Sequence, residues 1–196
     1  TIEGDTNGTI TVTNAIDING TAAEVAAAVD DVNTFSAAAT ATLSDNHTLA
    51  ELKAINNGID GAITLNSSGV ALNGSSSDIA AALNGLSNYT GALTLSDAAT
   101  VAQMTTINNA KDDSVTVSYH LSDTSGNITA ASETILNGAT NITASDDGVG
   151  GNTFEFDLLT STTNTGTVTV SGGTDVDVVE LSTALTQSGK VSIDLS

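Results

Sequence analysis

The chain has 196 residues and a formal net charge of −20 at neutral pH, because 23 Asp and Glu residues stand against three basic residues, all Lys. Phosphate groups are bound by concentrated basic surfaces, so this charge excludes nucleic acid and an anionic membrane surface as partners. Cysteine is absent, which excludes disulfides and thiolate metal sites. No run approaches the roughly 20 apolar residues that a membrane span requires.

The first unit of the chain predicts two short strands followed by a capped helix. Residues 9–13 alternate apolar and polar residues, and residues 16–18 form a second strand that ends in an Asn19-Gly20 turn. Thr21 and Glu24 have the spacing of a capping box, which starts a helix. The apolar residues that follow at helical spacing are Val25, Val29, Val32 and Phe35.

The same combination of strand, cap and helix recurs four more times. Further strands are predicted at 41–43, 63–65, 70–72, 93–95 and 115–121. The predicted helix caps are Thr48, Ser75, Thr100 and Thr124, with Glu51, Asp78 and Gln103 at the third position after the first three caps. In the third unit Asn73-Gly74 repeats the turn of the first, and Tyr89 matches Phe35 as a core residue at the end of a helix.

Regular spacing of the caps predicts the fold class. Residues 43–57 are largely repeated as 95–109, and a further cap lies near the middle of each such interval. One strand and one short helix per unit of about 26 residues is typical of a solenoid, in which each unit buries its apolar face against its neighbours. The alternative is that two such pairs of units fold together as a compact α/β domain.

Helical spacing disappears after about residue 138. Residues 141–144, 153–157, 167–170, 176–181 and 191–195 are predicted strands separated by Gly, Asp, Ser and Thr. We therefore predict two domains. Residues 1–137 form an α/β repeat domain with units starting near 8, 37, 61, 91 and 114, and residues 138–196 form an all-β segment, solenoid-like or sandwich-like.

Two glycine-rich stretches of the β segment indicate calcium. The nonapeptide repeat that begins Gly-Gly-x-Gly-x-Asp binds Ca²⁺ through carbonyl and Asp oxygens of stacked turns. Residues 172–179 fit it except that Asp175 replaces the third Gly, and residues 147–154 fit less closely. The candidate Ca²⁺ ligands are Asp175, Asp177, Asp146, Asp147 and Asn152.

In these residues the chain resembles the RTX-type calcium-binding adhesins and S-layer-like proteins, which are large secreted bacterial surface proteins. In them a Gly-rich loop leads into a strand like Thr153-Phe-Glu-Phe156. The capped-helix repeat of residues 8–137 also resembles repeats of such proteins. The resemblance implies a calcium-stabilised surface protein, although in that family the nonapeptides follow one another, whereas here the two matches are 25 residues apart and neither is complete.

Other polar residues have simpler structural interpretations. Asp45, Asp97 and Asp123 precede the caps, where we expect turn formation and interaction with a helix N-terminus. The two histidines, His47 and His120, occupy non-equivalent positions, and no acid, base and nucleophile spacing stands out. We therefore predict that the chain is not an enzyme.

Repetition, acidity and the absence of reaction chemistry together predict a structural role. We expect an extracellular, cell-surface protein that assembles with copies of itself or with the rest of a longer polypeptide, as in a filament, surface layer or adhesin, with Ca²⁺ as its cofactor. The first alternative is a carbohydrate- or host-binding adhesin or phage fibre module that binds surface glycans. The second is a polysaccharide-active enzyme on a β-solenoid, which would need paired carboxylates on one rung.

Overall fold

A computed structural model of the chain describes residues 8–145, 153–156, 167–171, 178–181 and 191–194. The helices are α1 Ala22–Asp30, α2 Leu49–Gly58, α3 Ser76–Leu83, α4 Val101–Ala110, α5 Ser125–Thr129 and α6 Glu133–Gly138. The strands before α5 are β1 Thr11–Val12, β2 Asp17–Gly20, β3 Thr34–Phe35, β4 Thr40–Leu43, β5 Ile63–Thr64, β6 Leu72–Gly74, β7 Leu93–Leu95 and β8 Tyr119–Thr124. The later strands are β9 Ala139–Ser145, β10 Thr153–Phe156, β11 Thr167–Ser171, β12 Val178–Leu181 and β13 Val191–Asp194.

The short strands pair in parallel with strands from the next turn of the chain. β1 pairs with β3, and β2, β4 and β5 form a three-stranded sheet. Nearer the C-terminus the order β13-β11-β9-β8 makes a four-stranded parallel sheet, and β10 pairs with β12. Thr11 pairs with Thr34, Leu121 with Ile142 and Thr153 with Val178. Partners are therefore separated by a similar step along the chain, close to the length of one predicted unit.

The first two helix caps lie farther apart than the strands before them because the second unit carries an inserted loop. Thr21 directly follows β2, whereas the four residues Ser44–His47 separate β4 from Thr48. The register of β2 with β4 is a step of 23 residues, as between Asp17 and Thr40. The insertion loop Ser44–His47 accounts for the greater separation of the two caps.

The predicted helix starts are confirmed. Thr21 Oγ1 accepts from the Glu24 amide, and the Glu24 carboxylate accepts from the Thr21 amide at 2.9 Å. These hydrogen bonds lower the pKa of Glu24. The same reciprocal bonds join Thr48 with Glu51 and Thr100 with Gln103, and Ser75 and Thr124 each cap with their side chain alone.

Two helices end earlier than their apolar spacing predicts. α1 ends at Asp30, and Phe35 lies in β3, because the chain turns to pair with β1 and the Asn33 side chain accepts from the Ile10 amide at 2.7 Å. α3 ends at Leu83, ahead of Gly85, which takes a φ of +74° that stops a helix. The prediction that Phe35 and Tyr89 close helices is therefore wrong, although Tyr89 is buried as expected.

The predicted Asn-Gly turns are also wrong. Both glycines end strands, and Gly20 pairs with Leu43 while its carbonyl accepts from the Ser44 amide at 2.8 Å. At Gly74 an added Cβ would lie 2.5 Å from Leu49 Cδ2. An alanine there would therefore require the Leu49 side chain of α2 to move.

By its contacts the chain divides into two compact units. Unit 1 comprises Thr1–Thr94 and Thr106–Thr116, and unit 2 comprises Leu95–Thr105 and Val117–Ser196. The core of unit 1 lies between α1, α2 and β4, and its buried residues include Val25, Val29, Ala41, Leu43 and Ile55. In unit 2 the buried residues include Tyr119, Leu121, Ile128, Ile135 and Ile142.

The solenoid, and the domain boundary between residues 137 and 138, remain predictions. Described elements after residue 138 are all strands. Across the described residues, no helix is both long and apolar enough to cross a membrane.

Candidate functional site

The predicted calcium ligands lie outside the described residues. Asp146, Asp147, Asn152, Asp175 and Asp177 all belong to the stretches between the described strands of the β segment. The strands that follow the two glycine-rich stretches are described, and they are β10 and β12. They pair in parallel with Thr153 opposite Val178, so the two stretches lead into neighbouring strands in the same register.

Within the described residues no group of three or more His, Asp or Glu side chains is placed to hold a metal ion. Asp17 makes its side-chain contacts with hydroxyls, since its carboxylate accepts from Thr40 Oγ1 at 2.8 Å and more weakly from Thr42 Oγ1. These contacts tie β2 to β4. The carboxylate of Asp17 therefore has a structural role.

Two carboxylates cap the helix of the preceding turn of the chain. Asp45 Oδ1 accepts from the amide of Ala22, the first residue of α1, at 2.7 Å. Asp123 Oδ2 accepts in the same way from Val101, the first residue of α4, at 2.9 Å. The expectation that these residues serve a helix N-terminus is confirmed, but each serves the helix about one strand step earlier rather than its own.

The insertion loop also positions a buried histidine. His47 is 3% exposed, and its Nε2 lies 2.9 Å from Tyr89 Oη. Tyr89 Oη donates to the carbonyl of Val70 at 2.7 Å. His47 Nδ1 is buried and has no hydrogen-bond partner. Burial lowers the pKa of His47, while the nearby Glu51 carboxylate acts in the opposite direction.

Tyr89 joins three segments of unit 1 through this contact. Its own segment pairs with Lys111 by an isolated parallel bridge, and its hydroxyl contacts the segments of His47 and Val70. Burial raises the pKa of Tyr89 to about 12, so the hydroxyl keeps its proton at neutral pH. His47 and Tyr89 are both buried in unit 1, so this contact between them is a buried polar contact.

His120 has a different environment. It is exposed on β8, and its ring lies 3.2 Å from the Asn141 side chain of the adjacent strand β9. Tyr119, its neighbour, is buried and donates to the Ile135 carbonyl at 2.5 Å. One histidine is therefore buried and the other is exposed. Within the described residues, neither histidine lies in a hydrogen-bonded chain with both a carboxylate and a hydroxyl, as a catalytic triad would require.

An open groove of about 740 Å³ lies along α1 and α2. Its apolar lining includes Val29, Val32 and Leu49, and its charged groups include the Lys53–Asp78 ion pair. The hydrogen bond from Lys53, followed by that from Ser75, lowers the pKa of Asp78. Asp78 is thus a carboxylate at neutral pH and is not poised to act as a general acid.

Sequence reasoning missed the contact between His47 and Tyr89. Each residue stands out in the sequence, but the contact spans 42 residues and no periodic pattern connects them. The available signal was the difference between units, because Ser44–His47 is inserted where the first and third units pass directly from strand to cap.

Comparison with models of protein families, with curated proteins and with solved structures finds no match for this chain.

Proposed function

We propose that this chain is a structural, repeat-built segment of an extracellular surface protein, which spans distance and assembles end to end. The observation that carries the proposal is the parallel pairing of successive segments at similar steps along the chain. In a series of segments that pair in this way, the first strand and the last strand each have one edge without a partner. Such edges are templates for another strand.

The first strands of unit 1 support assembly at that end. Among the described residues β1 pairs with β3 alone and β2 with β4 alone. Residues 8–20 contain no Lys or Pro, which are the usual devices that protect an edge from pairing. Ile16, between the two strands, is 38% exposed and is the one large apolar residue exposed within the described residues.

The partner that fits this edge is a parallel strand from another turn of the same kind, supplied by a second copy of the chain or by a longer polypeptide. A net charge of −20 opposes association of two copies. We therefore propose that Ca²⁺ assists assembly through the glycine-rich stretches before β10 and β12. The in-register pairing of those two strands supports this part of the proposal, because stacked calcium turns need neighbouring strands.

Assembly is tested by sedimentation velocity over a range of protein concentrations, with CaCl₂ and with chelator. The wild-type chain is expected to form larger species as its concentration rises, and Ile16→Lys is expected to remain monomeric because it places a charge at the free edge. Ala23→Lys is the matched control, since it adds the same charge to an exposed position of α1. A wild-type chain that stays monomeric under every condition would contradict the self-assembly proposal.

Calcium binding is tested separately by isothermal titration calorimetry and by thermal melting with Ca²⁺, with Mg²⁺ and with chelator. We expect Ca²⁺ to raise the melting temperature and the double variant Asp175→Asn, Asp177→Asn to lose most of that rise. Asp60→Asn, which changes an exposed carboxylate of unit 1, is expected to keep it. Equal responses of the two variants would contradict the assignment of Asp175 and Asp177 as calcium ligands. The absence of any response to Ca²⁺ in the wild-type chain would contradict calcium binding altogether.

A further inference from the structure

The buried chain from His47 through Tyr89 to Val70 fixes where the protons lie. Tyr89 has one hydroxyl proton, which it donates to the Val70 carbonyl at 2.7 Å. The 2.9 Å contact between Tyr89 Oη and His47 Nε2 is then a hydrogen bond only if Nε2 carries a proton and donates it. His47 is therefore the neutral Nε2–H tautomer, and its Nδ1 holds a lone pair.

That lone pair is the place where a proton would bind if the ring became charged. His47 Nδ1 is buried and has no hydrogen-bond partner. An imidazole nitrogen with a lone pair tolerates an apolar site at moderate cost, whereas a protonated ring would place both a new N–H group and a positive charge there. No hydrogen bond is available for that N–H without movement of the ring.

The groups facing the ring do not compensate for the charge. Tyr89 is neutral, since burial raises its pKa to about 12. Glu51 is the nearby anion and favours the charged ring, but its carboxylate already accepts from the Thr48 amide and hydroxyl at 2.7 and 2.8 Å. Burial of the ring is the larger effect, and it lowers the pKa of His47.

The ring belongs to the same insertion loop as Asp45, which adds a hydrogen bond to the N-terminus of α1 beside the Thr21–Glu24 capping box. Asp45, two residues before His47, accepts from the amide of Ala22, which is 1% exposed. If the His47 ring leaves its site for water, the four-residue loop that holds Asp45 moves with it. Loss of the ring contact is thus coupled to loss of the acceptor for the Ala22 amide.

We propose that the insertion loop Ser44–His47 is an acid-sensitive latch of unit 1. At neutral pH the uncharged His47 holds the loop against Tyr89 and keeps Asp45 on the N-terminus of α1. In mildly acidic medium the protonated ring leaves its buried site, the loop opens, and the Ala22 amide in the first turn of α1 loses its acceptor. The latch does not depend on the proposed structural function.

The direction of the pH effect follows from the lowered pKa. The unfolded chain binds a proton at His47 near pH 6.5, and the folded chain binds it only at lower pH. Between these two values the unfolded chain, or the chain with the loop open, holds more protons than the closed chain. The latch is therefore at full strength above about pH 6.5 and weakens as the pH falls below that value.

The test compares the two histidines of the same chain. Histidine NMR titration of the wild-type protein is expected to give His47 a pKa below 6.5, its ordinary value, with the Nε2–H tautomer at neutral pH. Amide exchange is then followed at Ala22 from about pH 7.5 to about pH 5.5, corrected for the intrinsic rate. We expect its protection to fall as the pH is lowered over this range, because protonation of the ring favours the open loop.

The variant His47→Gln keeps a donor near the position of Nε2 but cannot be protonated. We expect its Ala22 protection to be independent of pH over this range, and the control variant His120→Gln to behave like the wild type. The same loss of protection in His47→Gln, or a His47 that titrates at or above its ordinary value of 6.5, would overturn the proposal. If His47→Gln fails to fold, the wild-type titration and exchange measurements decide it by themselves.

Discussion

Asp45 and Asp123 each satisfy a backbone amide at the start of a helix that precedes them in the chain by one turn. The Ala22 amide is buried, and the first amides of a helix have no partner within it. A carboxylate at this point accepts the hydrogen bond and also interacts favourably with the helix dipole. These contacts join neighbouring turns through side chains, in addition to the strand ladder.

We expect Asp45→Ala to lower the free energy of unfolding by about 1 kcal/mol, the usual cost of losing a helix cap. Urea denaturation monitored by far-ultraviolet circular dichroism measures the loss. Asp45→Asn keeps an acceptor and is expected to lose less.

The control for this prediction is Asp60→Ala, which removes an equal charge from an exposed residue of unit 1. Because its removal only lessens the repulsion among carboxylates, we expect a change within about 0.5 kcal/mol of zero. Equal losses in the Asp45 and Asp60 variants would show that charge, and not the cap, decides the stability.

The Leu-Ser-Asp sequence allowed the role of these carboxylates to be predicted, but not their target. A capping preference is a local property of residue type, so it is visible in the sequence. Which helix is capped depends on how far the loop reaches beyond the strand end, and this is set by the register of β2 with β4. The contact of His47 with Tyr89 could not be predicted for the same reason, because it also depends on how far this loop reaches.

At the scale of elements, a repeated glycine marks where one turn of the chain crosses closely over another. Gly61 and Gly91 begin the similar sequences Gly-Ala-Ile-Thr-Leu and Gly-Ala-Leu-Thr-Leu. A Cβ at Gly61 would lie 2.1 Å from the Ala39 carbonyl oxygen, and at Gly91 it would lie 1.9 Å from that of Val70. In both cases the obstacle is backbone, which cannot turn aside as a flexible side chain can.

We expect Gly61→Ala to destabilise the protein by about 1 to 3 kcal/mol, the usual range for forcing extra volume into a packed site. Gly69→Ala is the matched control, since the nearest atoms to its added Cβ are 3.6 Å away, an ordinary contact. That control is expected to be neutral or slightly stabilising because alanine restricts the unfolded chain. Thermal and urea denaturation of the two variants provide the comparison, and a Gly61→Ala protein as stable as Gly69→Ala would contradict it.

Element starts were more predictable than element ends. The five caps at Thr21, Thr48, Ser75, Thr100 and Thr124 follow from local hydrogen bonding, and each side chain accepts from the amide at the third position after it. The ends of α1 and α3 depend on competition between helical spacing and pairing with a distant strand. That competition is a tertiary effect, so periodic apolar residues extended both helices too far.

At the scale of the whole molecule, the charge of −20 is the dominant electrostatic feature. Self-repulsion of carboxylates disfavours the compact state, and dissolved salt screens it. Salt also weakens ion pairs, but the Lys53–Asp78 pair of the described residues is partly exposed and contributes little. The screening of repulsion is therefore expected to prevail.

We accordingly expect the melting temperature to rise as NaCl increases from about 10 mM to about 500 mM, over which the screening length falls from about 30 Å to a few ångströms. KCl is expected to act equally, since the effect depends on ionic strength and not on the identity of the cation. CaCl₂ at matched ionic strength then separates screening from binding: a further rise belongs to specific sites and should disappear with Asp175→Asn, Asp177→Asn. A melting temperature that falls with NaCl would mean that attraction between opposite charges outweighs repulsion among carboxylates. The proposal that Ca²⁺ assists assembly by reducing that repulsion would then be contradicted.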